Sequence, residues 1–174
     1  MRQKELTPEE RLIEWMGLIA SFPDTKGDTK GNPDWMSSTH PHLTLHSTAM
    51  PGTSPSTQHP TATFAFTVPP SHANGLNNLH GGAAASLFDY TTSLSLALVA
   101  RPGAWQHLGV SRTLNVTYLR PVPVGTDVLV QCEVVAAGKV LSALRGTIRR
   151  KSDGAILVVC EHQKFNTDPP AAKM

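Results

Sequence analysis

Only two cysteines, three tryptophans and two tyrosines occur among 174 residues, and 15 Lys+Arg against 13 Asp+Glu leave a formal net charge of +2. Each scarcity removes a class of protein. Cys132 and Cys160 do not make a disulfide-built scaffold; both fall in apolar, strand-like runs and read as core fillers in a reduced interior. A charge of +2 is too small by itself for a nucleic-acid footprint. No apolar run approaches the ~20 residues of a membrane span. The opening residues, MRQKELTPEER, contain acids and no apolar stretch, so neither a secretory nor a mitochondrial leader is expected. His40, His42, His46, His59 and His72 lie in loops or near strand ends without ligand spacing, so no metal is expected. The expected compartment is intracellular: cytoplasmic or, because Ala172-Lys173-Met174 resembles a relaxed Ser-Lys-Leu address, peroxisomal.

The residues that are present follow two periods in turn. Thr7-Pro8-Glu9-Glu10 reads as a capping box opening a helix, with Leu12, Trp15, Met16, Ile19 and Phe22 at helical spacing and Pro23 as the stop. A loop rich in Asp, Lys, Gly, Thr, Ser and Pro follows to Pro41. Residues 43–50 and 61–68 read as strands, on either side of the turn-rich PGTSPSTQHP. A long apolar helix is expected from Gly82 to Ala100. Beyond Arg101-Pro102-Gly103 the period becomes two, giving four strands joined by turns at 121–125, 137–139 and 152–154. The chain therefore divides into a helix-and-loop extension (1–41), one domain (42–168) and a tail (169–174) that reads as frayed from Thr167. One apolar helix against about six mostly antiparallel strands is an α+β arrangement in which the sheet wraps the helix.

The run NGLNNLHGGAAASLFD, Asn74 to Asp89, carries the chemistry. Asp89 is the one charged residue in a helix that reads as buried. An acid kept there must be paired, hydrogen-bonded or protonated. Gly81 and Gly82 leave backbone N–H groups bare at the helix start, where the dipole favours developing negative charge. An acid and an anion-friendly helix start are two parts of an acyl-transfer site. Eight residues of helix separate Gly81 from Asp89 by roughly 12 Å along the axis, whereas reacting groups must approach within about 3.5 Å. The two therefore serve one atom only across a long arrangement, or between two copies of the chain related by a two-fold axis.

Asn74, His80-Gly81-Gly82, Asp89, Gly109-Val110-Ser111 and Asn115-Val116-Thr117-Tyr118 together resemble the hotdog-fold acyl-CoA thioesterases, the group with the phenylacetate-pathway and small mammalian enzymes, over residues 43 to 166. The resemblance implies a homodimer or tetramer hydrolysing an acyl-CoA or related thioester to a carboxylate and a thiol. It implies no cofactor beyond the coenzyme A of the substrate. By position it implies that the Gly81 N–H receives the oxyanion and that Asn74 holds the carbonyl or a water. His80 supports the loop, and Gly82 belongs to the same helix start. Asp89 of the partner acts as general base, or as nucleophile in an anhydride variant, and Ser111, on a face with Thr113 and Asn115, orients it. Lys139, Arg145, Arg149 and Arg150 are candidates for the coenzyme A phosphates, and Leu87, Phe88 and Trp105 for the acyl wall. Where many relatives have an acid two positions beyond the strand serine, this chain has Thr113.

Each residue also has a plainer reading. Asp89 is satisfied by Ser86, Thr92 or Ser93 one turn away; Asn74 is a turn residue; the glycines permit close packing; Ser111 is merely small. A hydratase or dehydratase on acyl thioesters, using His80 with Asp89, and a non-catalytic acyl-CoA-binding module are the competing functions.

Overall fold

The capping box forms as its sequence dictates. Thr7 N–H donates to Glu10 Oε2 (2.8 Å) and Glu10 N–H to Thr7 Oγ1 (3.2 Å), opening helix α1, Pro8–Ala20. The computed structural model describes residues 6–20, 36, 38–53 and 57–169; the expected helix stop at Pro23, most of the following loop and the final tripeptide lie outside them. Leu12 is fully buried, and Arg11 donates from Nε to the Ala97 carbonyl (3.0 Å) and from Nη2 to that of Leu98 (3.2 Å). The N-terminal helix is thereby clamped to the carbonyl end of the central one, where unpaired C=O groups attract a cation.

Six strands follow: β1 (Leu43–Ala49), β2 (Thr61–Thr67), β3 (Val110–Tyr118), β4 (Asp127–Ala137), β5 (Leu141–Arg150) and β6 (Ile156–Phe165). They form one antiparallel sheet in the order β1-β2-β4-β5-β6-β3. Between β2 and β3 runs α2, Gly81–Ser95, continued by a 3-10 turn at Leu96–Leu98 rather than as α-helix to Ala100. The tightening has a local cause: Thr91, Thr92 and Ser93 each turn a hydroxyl back onto the carbonyl four residues earlier, and such back-bonding loosens the ladder. Ala84, Leu87, Phe88 and Leu94 of α2 pack on Phe64, Val130, Ile148 and Val158 of the sheet. Gly146 makes the closest approach: a Cβ there would stand 2.6 Å from both Phe88 Cδ1 and Cys160 Sγ. Both cysteines are free and buried; burial pushes the Cys160 thiol up to about 12 and that of Cys132 higher.

Two further expectations are corrected. The chain is not frayed from Thr167, because the Asp168 carboxylate accepts from the N–H groups of Gln106 (2.6 Å) and His107 (3.0 Å) and closes the end of the domain. β3 also does not alternate through its whole length. Ser111 pairs with Lys164 and Thr113 with Gln163, so Arg112 is an inserted bulge residue. A bulge reverses which side chains face inward. Ser111 therefore shares the helix-facing side with Leu114 instead of the outer side with Thr113 and Asn115.

Candidate active site

Side-chain bonds two to four residues long shape the N-terminal end of α2, and backbone bonds to the segment before β4 anchor it. Asn74 Oδ1 accepts from the N–H groups of Leu76 (2.9 Å) and Asn78 (3.2 Å), the turn its residue type favours. Leu79 N–H then donates to the Val122 carbonyl and His80 N–H to that of His72, delivering His80 in an extended conformation as the N-cap. His80 Nδ1 accepts from Gly82 N–H (3.0 Å). The neutral ring therefore carries its proton on Nε2, and Gly82 is not a bare donor as expected. That leaves Gly81, whose N–H has no carbonyl one turn behind it and bonds to nothing else among the described residues. Its own carbonyl accepts from Tyr118 Oη (2.7 Å), and the Tyr118 ring would stand 3.3 Å from a Cβ at this position.

Two turns along, α2 meets β3 and β6 through long-range contacts. Ser111 Oγ donates to Asp89 Oδ1 (2.5 Å) within the same chain. Ser86, Thr92 and Ser93, the plainer partners for the acid, donate to the carbonyls of Gly82, Phe88 and Asp89. The expectation of a buried carboxylate is also corrected: the Asp89 side chain is 48% exposed and faces a cavity of about 360 Å³ with Ala85, Ser93 and Leu114. The helix is apolar nearly all round, yet the sheet covers only one side of it.

Two residues of this cluster were not singled out from the sequence. His162, fully buried, places Nε2 3.3 Å from Asp89 Oδ1 and Nδ1 2.7 Å from Thr92 Oγ1. Thr92 gives its one hydroxyl proton to the Phe88 carbonyl at 2.5 Å, so it accepts from His162, and Nδ1 is the protonated nitrogen. Nε2 of the neutral ring then turns a lone pair toward the carboxylate. Burial first, then Lys164, draws the His162 pKa down to about 4, against a smaller opposing pull from Asp89. Lys164, 4% exposed, donates to Ser93 Oγ (2.5 Å); burial lowers its pKa and Asp89 partly restores it. The signal was in β6: Val158, Cys160, His162 and Lys164 alternate, which puts a histidine and a lysine on the inward face.

The remaining candidates do not gather here. Phe88 and Leu87 are 0% and 1% exposed and point into the sheet, about 100° round the helix from Asp89 and Ser86; they are packed in the core and do not line the cavity of Asp89. Trp105 is likewise buried, its Nε1 donating to the Gly138 carbonyl (2.7 Å). Lys139 lines a separate cleft with Trp105 and Arg101, beside the β4–β5 turn. Arg149 and Arg150 stand at the opposite, β5–β6 end; Arg150 is paired with Asp153 (2.7 Å) and Arg149 reaches the Gly154 carbonyl (3.5 Å). Arg145 pairs with Glu133 (3.5 Å). Among the described residues no three His, Cys, Asp or Glu side chains cluster as a metal site would require. No helix among them is long and apolar enough to cross a membrane.

Residues 76–157 match the family model described as the thioesterase superfamily. Human acyl-coenzyme A thioesterase 13 is 30% identical over 93 residues, 53% of this chain and 64% of the human protein; the mouse protein of the same name is 29% identical over the same span. The chain thus spans just under two thirds of the length of these curated relatives. Among solved structures, zebrafish thioesterase superfamily member 2 superposes with a TM-score of 0.69 at 23% identity, covering 92% of this chain and 99% of the other. The PaaI protein of Escherichia coli gives 0.57 at 18%, covering 71% and 82%. A hypothetical thioesterase protein of Streptococcus pneumoniae, solved with coenzyme A, gives 0.60 at 17%, covering 74% and 91%.

Proposed function

We propose that this chain, whose residues 76–157 match the thioesterase superfamily model and whose fold is the hotdog fold of the solved thioesterases it superposes on, is a member of that superfamily and hydrolyses acyl-CoA thioesters at sites completed by a second copy of itself. The observation that carries the reading is the Asp89 carboxylate, held through Oδ1 by Ser111 beside a buried histidine, and open to a cavity. Oδ2 makes no bond among the described residues and is the oxygen left to take a proton from water. The S. pneumoniae relative with coenzyme A supports the thioester class.

In this reading water loses a proton to Asp89 while its oxygen attacks the thioester carbonyl carbon. The carbonyl oxygen becomes an oxyanion and receives the Gly81 N–H at the positive end of α2, aided by the Asn74 Nδ2 donors. The tetrahedral centre then collapses, the C–S bond breaks, and the sulfur leaves as a thiol with the proton that Asp89 took up. The bare Nε2 of His162 faces the other carboxylate oxygen, Oδ1, and burial keeps that imidazole neutral at neutral pH, so it places no positive charge beside the base. A general base fits this geometry better than a nucleophile. One carboxylate oxygen is engaged by Ser111, and the other is free to hold water.

Gly81 and Asp89 of one chain are still separated by roughly 12 Å of helix, so the oxyanion site of one copy works with the acid of another. His80 and Asp89 open on neighbouring cavities that share Met36 and Ser86, hence on one flank of α2. Two antiparallel α2 helices facing along that flank match each half to its complement. Thiol release from acyl-CoA, followed with a thiol reagent, tests the activity. Release that persists in Asp89→Asn would contradict the assignment.

A further inference from the structure

Beside the acid's cavity lies a second, almost wholly apolar cleft of about 410 Å³, between α1 and β1. Its walls are Ile13, Met16 and Gly17 from α1 and Leu43 and Leu45 from β1, and Tyr90 lines both it and the cavity of Asp89. Tyr90 follows Asp89 directly in α2, and its ring lies against that of His40, centroids 5.1 Å apart. Tyr90, next to Asp89 in sequence, therefore stands between the two cavities. The volume falls in the range of small-molecule sites, about 300–1,000 Å³.

Three features of α1 match an extended apolar ligand. Ile13, Met16, Gly17 and Ala20 fall on one flank, which runs about 10 Å along the helix axis. Ile13 is 52% exposed although it is a large aliphatic side chain. At Gly17 a Cβ would meet nothing within 4 Å, so the helix carries its least favoured non-proline residue where a side chain has room. That is a poor choice for helix stability and a suitable one for a vacant channel. The helix is held in place independently of the cleft, by buried Leu12 and by Arg11 on the Ala97 and Leu98 carbonyls.

We infer that this cleft receives the tail of an aliphatic acyl group, whose thioester carbon sits at Asp89 and whose chain passes Tyr90 to lie between α1 and β1. The inference rests on the thioesterase reading above and narrows its substrate to acyl groups with an extended hydrocarbon chain. Ile13, Met16 and Gly17 then determine specificity without touching the reacting atoms.

The test is a series of saturated acyl-CoA substrates from butanoyl to hexadecanoyl with the full chain and with Gly17→Leu, which projects a side chain into the cleft. In the wild type kcat/KM climbs about fourfold for each methylene until the cleft is full. In G17L the dodecanoyl-to-butanoyl ratio of kcat/KM falls at least tenfold, and G17A, a better helix former than glycine, shows a smaller fall. Binding of S-methyl and S-dodecyl coenzyme A thioethers, which have no carbonyl to attack, is measured alongside by calorimetry. The wild type prefers the dodecyl compound at least tenfold and G17L loses that preference. A folded G17L or G17A with the wild-type ratio and the wild-type thioether preference overturns the inference, as does a wild type indifferent to chain length. If no acyl-CoA is hydrolysed but the Gly17-dependent preference for the dodecyl thioether remains, the thioesterase reading fails and the chain subsite stands.

Discussion

The two ends of the proposed chemistry are built in opposite ways. At the start of α2, Asn74, His80 and Gly82 are joined by side-chain bonds to neighbours two to four residues away, and the group offered to substrate is a backbone N–H. Around Asp89 the bonds run to Ser111, 22 residues on, while Thr92 and Ser93 reach His162 and Lys164 at separations of 70 and 71. The group offered there is a side-chain carboxylate. A donor shaped by turn chemistry, and tied to the rest of the fold through Leu79 and Tyr118, has no charge to desolvate. A charged base needs partners from the sheet that tune it, and these arrive only when the fold is complete.

Replacing Asp89 by Asn tests the second region most severely: kcat falls about 10²–10⁴-fold, the usual contribution of a general base, with the melting temperature nearly unchanged. Gly81→Pro strikes the first region at its one functional atom. Proline suits the first helical position, and the extended φ and ψ of His80 (−63°, 138°) suit the residue before it, so the variant removes the N–H with the helix kept, provided the Tyr118 ring, 3.3 Å from the added Cβ, shifts to admit it. The expected loss in kcat is about 10²–10³-fold, measured with far-UV circular dichroism as the check on the helix. A variant that keeps its rate would mean that the oxyanion lies elsewhere.

Ser111→Ala deletes one hydrogen bond to a charged acceptor, worth about 1.5–3 kcal/mol, and should cost turnover roughly 10–100-fold while leaving KM close to that of the wild type. His162 gives an effect read in stability rather than in rate. Its folded pKa of about 4 lies below the unfolded 6.5, so between those values the unfolded chain binds more protons. Stability is thus fully present above pH 6.5 and declines as pH falls toward 4. Thermal melts across that window should slope in the wild type and flatten in His162→Gln; equal slopes would separate His162 from the acid response.

How far these regions were legible follows from the same contrast. The capping box, the succession of strands along the chain and the loop from Asn74 to Gly82 rest on local residue types, and each formed close to its expected bounds. Ser111 was recognised, yet its direction was misjudged, because the bulge at Arg112 leaves no mark in a two-residue alternation that already contained an arginine. Phe88 was assigned to the acyl wall because a helix apolar all round gives no hint of which side the sheet will cover. His162 and Lys164 sat in plain alternation on β6, but a polar residue on an inward strand face acquires meaning only when the helix carrying Asp89 is laid against it.

The central claim is that each active site takes Gly81 from one copy and Asp89 from another. Mixing inactive G81P with inactive D89N under conditions that exchange subunits tests it directly. Random exchange makes half the dimers mixed, each with one intact site of two, so thioesterase activity should return to about a quarter of the wild type. A mixture no more active than its parents, with exchange verified by a tagged subunit, would contradict the composite site.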